Sequence, residues 1–196
     1  MNDDTLQHIL ADIDLANSAD PNQETWAGAS HPKELLYSHR MSAWLSELRP
    51  DADAALQVAA RAQHICRWEH PRDSYPMDRK GYLTWRRELY TFHAEKVGAI
   101  MQKLGVDGAT IKRVSFLLHK KKLHDDPDSQ ALEDAACLVF LEFHIDALAA
   151  KTDREKRVGI IRKTWRKMSE AAHAFAQDLT YSEDTEKLLG EALNGN

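Results

Sequence analysis

The stretch YLTWRRELYTFHAEKVGAIMQKLG, residues 82–105, decides the fold class. Leu89, His93, Val97 and Ile100 recur at intervals of three and four, the spacing of one helix face, and Gly105 stops the run. This predicts a helix over about 82–104. Composition extends the reading to the whole chain. Of 196 residues, 26 are Ala and 22 Leu, against 23 Val, Ile and Thr together, with only 8 Gly and 6 Pro. Such a chain favours helices and leaves no room for a large β-sheet.

Upstream, HPRDSYPMDRKG (residues 70–81) holds two prolines and a glycine and reads as a loop. At 12 residues it is long for a connection inside a compact domain, and such loops commonly carry function. Earlier helices are expected at about 5–17, with Leu6, Ile9, Leu10 and Ile13 on one face, at about 32–48, opened by Pro32, and at about 53–68. The polar segment from Asn17 to His31 reads as a loop. Downstream, Asp107 or Gly108 caps a helix over about 109–121, and Ser129 caps one over about 130–149. A seventh, about 151–178, carries Val158, Ile161, Trp165, Met168, Ala172 and Phe175, and Ser182 caps a short last helix. The expectation is one all-α domain over residues 1–196, a bundle of about seven to eight helices.

The net charge is −5, but it is unevenly spread. Residues 1–32 carry −6, residues 168–196 carry −5, and the middle carries +6. Bases concentrate at Arg61 to Arg87, Lys112 to Lys122 and Lys151 to Lys167. Two readings stand: solvated helix faces, or a positive field around an anion such as a phosphate. Nucleic acid is compatible with the basic middle, but 8% aromatics and an acidic whole argue against a dedicated binder. No apolar run approaches the ~18 residues of a membrane span, and the acidic start lacks a signal peptide's basic region. Cys66 and Cys137 lack CxxC spacing, which fits a reducing cytoplasm better than a disulfide framework.

Polar residues interrupt the apolar stripes. His39 lies three after Leu36, His64 four after Ala60, His93 four after Leu89, and Asp134 four before Leu138. Each alone reads as a hydrogen-bonded core residue. Together, converging from several helices, they read as ligands of a divalent metal. A buried Asp134 needs a partner under either reading.

The order of these residues resembles the HD-domain superfamily of metal-dependent phosphohydrolases, over about residues 33–145. The resemblance implies an HD-like bundle in which His39, His64, His93 and Asp134 hold the metal, with His119 as a further histidine. Ile65 stands where that family has the aspartate of its His-Asp doublet, and Ile cannot ligate a metal. A more extensive similarity exists. QHICRWEHPRDSYPMDRKGYLTWRRELYTFHAEK (63–96), LEDAACLVFLE (132–142) and IIRKTWRKMSE (160–170) resemble the domain of unknown function 4202 family. It covers nearly the whole chain and brings no established activity. It implies that His64, Arg67, Glu69, Arg72, Tyr75, Arg79, His93, Glu133, Asp134, Lys163 and Trp165 belong to one pattern.

The leading expectation is a cytoplasmic, metal-dependent phosphohydrolase acting on a small phosphorylated or nucleotide substrate. Arg67 and Arg72 would grip the phosphate, and Glu69 would be the general base if burial raises its pKa. Arg79, Tyr75 and Lys163 would contact the ligand. The bland alternative for Glu69 is an exposed pair with Arg72. Two rivals remain: a non-catalytic anion binder using Arg67, Arg72 and Lys163, and a nucleic-acid or tRNA accessory protein.

Overall fold

The computed structural model describes residues 1–148 and 152–194, which among themselves form nine α-helices and one small hairpin. The expected end of a helix at about 149 and the expected start of the next at about 151 lie outside the described residues, as does Lys151. The chain divides into two compact units, Met1–Leu132 and Glu133–Asn196.

In the first unit, Asn2 caps α1 (Asp3–Asn17) by accepting the Thr5 N–H at 2.8 Å, and Asp3 and Asp4 sit in the first turn, where the helix dipole favours acids. The segment expected as a loop contains a two-stranded antiparallel hairpin, β1 (Gln23–Trp26) and β2 (Ala29–Pro32). Ala27 and Gly28, both with positive φ, make its two-residue turn. The helix α2 (Lys33–Leu48) follows directly, and its Glu34 N–H donates to the buried Asp20 carboxylate at 2.9 Å.

The next helix is shorter than expected. Capped by Asp53, α3 runs Ala54–Arg61 and gives way to turns that end at Cys66, whose φ is +52°. Asn17 Oδ1 fixes this bend by accepting the Cys66 N–H at 3.0 Å. Arg67–Glu69 and Arg72–Ser74 are single 3-10 turns, and α4 (Arg79–Lys103) is the long helix announced by residues 82–105. Asp78 caps it by accepting the Gly81 N–H at 2.7 Å. Gly81 is obligatory here, because a Cβ would stand 2.0 Å from the Pro76 carbonyl oxygen. Arg72 closes the same loop by donating to the carbonyls of Tyr75, Pro76 and Asp78 at 3.1, 2.7 and 3.3 Å.

Asp107 caps α5 (Gly108–Leu118), which packs against α3 and α4. The core between these helices holds Ile9, Ile13, Met41, Leu56, Ile65, Val97, Met101 and Leu117, all fully buried. The helix α6 (Pro127–Val139) begins at Pro127, earlier than the expected Ser129, because Asp126 is the cap and accepts the Ser129 N–H at 2.9 Å.

In the second unit, Phe140–His144 forms a π-helical turn and Asp146–Leu148 a 3-10 turn. The single helix expected over 151–178 is two, α7 (Arg154–Trp165) and α8 (Glu170–Gln177). Ser169 is the reason for the break: its hydroxyl caps α8 by accepting the Ala172 N–H at 3.2 Å. The last helix, α9 (Glu183–Asn194), packs along α7, with Val158, Ile161 and Leu188 buried.

Candidate anion-binding cleft

The face of α4 that carries His93 continues toward the helix start. Tyr82, Trp85, Arg86, Leu89, Tyr90 and His93 repeat at three and four residues and line one side of a cleft of about 140 Å³ in the first unit. The turns after α3 supply Gln63, His64 and Arg67, and the end of α5 supplies Leu118 and Lys120. Three permanent cations, Arg67, Arg86 and Lys120, thus meet two imidazoles, with no carboxylate among the described residues lining the cleft.

Each wall residue is held by identifiable contacts. Trp85 Nε1 donates to the His70 carbonyl at 2.9 Å, and the Arg67 guanidinium lies 5.2 Å from the Trp85 ring centre, within cation–π range. Arg86 Nε donates to the Tyr90 hydroxyl at 2.8 Å, one turn along the helix. The His64 ring stacks on Tyr37 with centroids 3.9 Å apart, and its Nδ1 lies 3.1 Å from the Glu34 carboxylate. Asp20 anchors the backbone of Glu34, so the loop after α1 orients this histidine at one remove. Arg67 Nη1 sits 3.2 and 3.3 Å from the two ring nitrogens of His64.

His93 differs. It is 3% exposed, and its Nε2 has no hydrogen-bond partner among the described residues. Burial holds its pKa well below the ordinary histidine value, and His64, Arg67, His70 and Lys120 push it the same way. The ring is therefore neutral at physiological pH, so it can accept a proton or a hydrogen bond without first losing a charge.

Within the first unit the residues expected at the site do not all come together. His64, His93 and Arg67 lie together in the cleft. His39 is half-exposed and pairs with Asp14 at 3.1 Å. His119 Nδ1 donates to the Ser115 carbonyl at 2.7 Å. Asp134 belongs to the second unit, where it accepts the Ser169 N–H at 2.9 Å, and its neighbour Glu133 accepts Lys167 Nζ at 3.0 Å. Among the described residues no group of three or more His, Cys, Asp or Glu is placed to hold a metal ion. Two imidazoles with an arginine lying against one of them do not fit a divalent ion, whose ligands need several unencumbered lone pairs.

Glu69 forms an ion pair with Lys96 at 2.8 Å, not with Arg72, and Arg72 serves the loop backbone. The Tyr75 hydroxyl donates to Glu88 at 2.6 Å, and Arg79 is an exposed first residue of α4. Lys163 is exposed on α7 beside Trp165, which stacks on His173 at 4.3 Å. Arg86, Tyr90 and Tyr82 were not singled out from the sequence. Their signal was present: Arg86 stands seven residues before His93, on the same face. Gln63 and Lys120 carried no such signal, since both sit in turns.

No curated protein and no solved structure matches the chain. One family model does, that of the domain of unknown function DUF4202, over residues 7–189. The match takes in both units, including the cleft and Asp134, and the chain belongs to the domain of unknown function 4202 family.

Proposed function

We propose that the chain binds a small phosphorylated ligand, with the phosphate held in the first-unit cleft by Arg67, Arg86 and Lys120. The observation that carries this reading is the convergence of three cations on a cleft lined by no described carboxylate. Guanidinium forks suit phosphate oxygens, and a shielded site strengthens each contact relative to bulk water. A volume of about 140 Å³ suits a phosphate with a small organic group better than a polymer. Calorimetric titration with inorganic phosphate and a panel of small phosphomonoesters tests it. Saturable binding that weakens in Arg86→Met and Lys120→Met supports the reading, and the absence of binding to every anion ends it.

A second reading, hydrolysis of the bound ester, has one observation in its favour. His93 lines the cleft and is neutral there, the form a general base needs, and its Nε2, shut off from solvent in this structure, would have to turn into the cleft to take a proton from an attacking water. Turnover of p-nitrophenyl phosphate that is lost in His93→Gln, with binding retained, is the expected result. Binding without turnover leaves the chain as a receptor for the phosphate.

A further inference from the structure

The start of α4 presents apolar side chains to solvent in an unusual setting. Leu83 is 51% exposed, and Met77, directly before the cap Asp78, is 77% exposed. Side chains this open stand clear of their neighbours and add little to the core. On a helix surface, the residues three and four away surround a given position. For Leu83 all four are cations: Arg79 and Lys80 on one side, Arg86 and Arg87 on the other. Residues 79–87 hold these four bases and no acid. Arg86 is held by the Tyr90 hydroxyl, whereas Arg79, Lys80 and Arg87 are exposed and have no ion-pair partner among the described residues. The acids that flank the stretch are engaged. Asp78 caps the helix, and Glu88 accepts the Tyr75 hydroxyl.

We propose that this end of α4 docks on an anionic lipid surface, with Met77 and Leu83 in the headgroup layer and Arg79, Lys80 and Arg87 among the lipid phosphates. This contact is independent of whatever the cleft binds. Charge complementarity selects the occupant. A leucine with cations on every side needs negative charge on every side of the point it enters. A sheet of acidic headgroups supplies that uniformly and attracts each basic side chain near it. A folded protein instead receives an exposed leucine in an apolar pocket and meets the surrounding charges one by one. Long basic side chains also suit the boundary, since their stems lie along apolar surface while their charged ends reach the phosphates. Apolar side chains set among bases are the pattern of helices that lie at a membrane interface. The contact is peripheral: no helix among the described residues is long and apolar enough to cross a membrane.

The test is sedimentation of the full chain with vesicles of phosphatidylcholine alone and of phosphatidylcholine containing phosphatidylserine. Binding is expected only to the second, and it should fall as salt is raised. Arg79→Gln, Lys80→Gln and Arg87→Gln should each weaken it about fivefold, and Leu83→Gln about tenfold. All four side chains are exposed, so the variants should fold, which circular dichroism checks. No binding to the acidic vesicles overturns the inference and leaves the reading of the cleft standing. Undiminished binding in the Met77→Gln, Leu83→Gln double variant also overturns it, because the apolar pair then does nothing. A loss in Arg67→Met as large as that in Arg87→Gln overturns it too, since the cleft would then be reading the headgroup. Binding to soluble polyglutamate as tight as to the acidic vesicles overturns it in favour of an acidic protein partner.

Discussion

The imidazoles of His64 and His93 stand 6.0 Å apart, centroid to centroid, on one cleft, yet among the described residues only His64 pairs with a carboxylate. Glu34 anchors His64, whereas the charges bearing on His93 are cationic. The pair therefore combines one oriented ring with one ring held neutral. The two are unlike in what their replacement does.

His93→Leu removes an unpartnered buried nitrogen and is expected to raise stability by about 1 kcal/mol at neutral pH. The gain should be larger at about pH 5. With a folded pKa depressed below 6.5, the unfolded chain binds a proton that the folded chain does not, so wild-type stability falls as pH drops below that value. Urea unfolding at the two pH values measures this, and a gain that shrinks on acidification would contradict it.

Within the cleft, Arg67→Met and Arg86→Met are each expected to weaken inorganic phosphate by about tenfold, the scale of one charge-assisted contact. Glu69→Gln and Lys163→Met should leave binding unchanged. Glu69 is committed to Lys96 in a half-exposed pair, and neither Glu69 nor Lys163 is among the residues that line the cleft. A large loss of binding in either would show that the cleft has been drawn around the wrong residues.

Arg113 donates to Asp126 at 2.7 and 3.0 Å and to Asp128 at 2.6 Å, and Asp126 also caps α6. The guanidinium and the Ser129 amide hold the Asp126 carboxyl down at about 2, from 3.8. That stabilisation is complete above the unfolded value and is lost as pH falls toward about 2. Asp126→Asn should therefore cost about 2 kcal/mol at neutral pH and progressively less below about pH 4. Paired denaturant titrations of wild type and variant read the difference directly.

Glycine substitutions should diverge in sign. Gly81→Ala drives a methyl into the Pro76 carbonyl and is expected to cost about 2–3 kcal/mol. Gly159→Ala and Gly190→Ala, in α7 and α9 with nothing within 4 Å of the added carbon, should each stabilise by about 0.5–1 kcal/mol. Thermal denaturation of the three variants separates these outcomes.

Burial pushes the Cys66 thiol up to about 11, with Glu69 adding to the effect, and Cys137 is also buried. Both should resist alkylation by iodoacetamide at neutral pH and react only on unfolding, because the thiolate is the nucleophile. Rapid labelling of Cys66 in the native protein would place it nearer the surface than its 5% exposure indicates.

Much of the helical layout was legible because helix periodicity is local. The stretch from Tyr82 to Gly105 announced α4, and Asp107 and Ser182 announced the caps of α5 and α9. Sequence and structure part where distant or competing contacts decide where a helix ends. The helix expected over 53–68 ends at Arg61 because Asn17, far along the chain, holds the Cys66 amide. The helix expected over 151–178 breaks at Ser169 because its hydroxyl caps the following turn. For the cleft, His64, Arg67 and His93 were visible as polar intruders or loop cations. Gln63 and Lys120 were not, since nothing in their local sequence marks a residue in a turn as facing a cavity. Its place on an apolar stripe marks Asp134 as a carboxylate in need of a partner. One of its partners is a backbone amide, a group the sequence displays at every position and therefore singles out at none.

Arg72 ties the loop carbonyls of Tyr75, Pro76 and Asp78 together, and the His70 carbonyl holds the Trp85 indole, so that wall of the cleft is already braced. A ligand arriving there meets a finished surface with little left to order. Encounter is then governed by diffusion and by attraction from the basic rim. Differences in affinity among ligands of like charge should consequently appear in how long each complex lives, with how fast it forms varying much less.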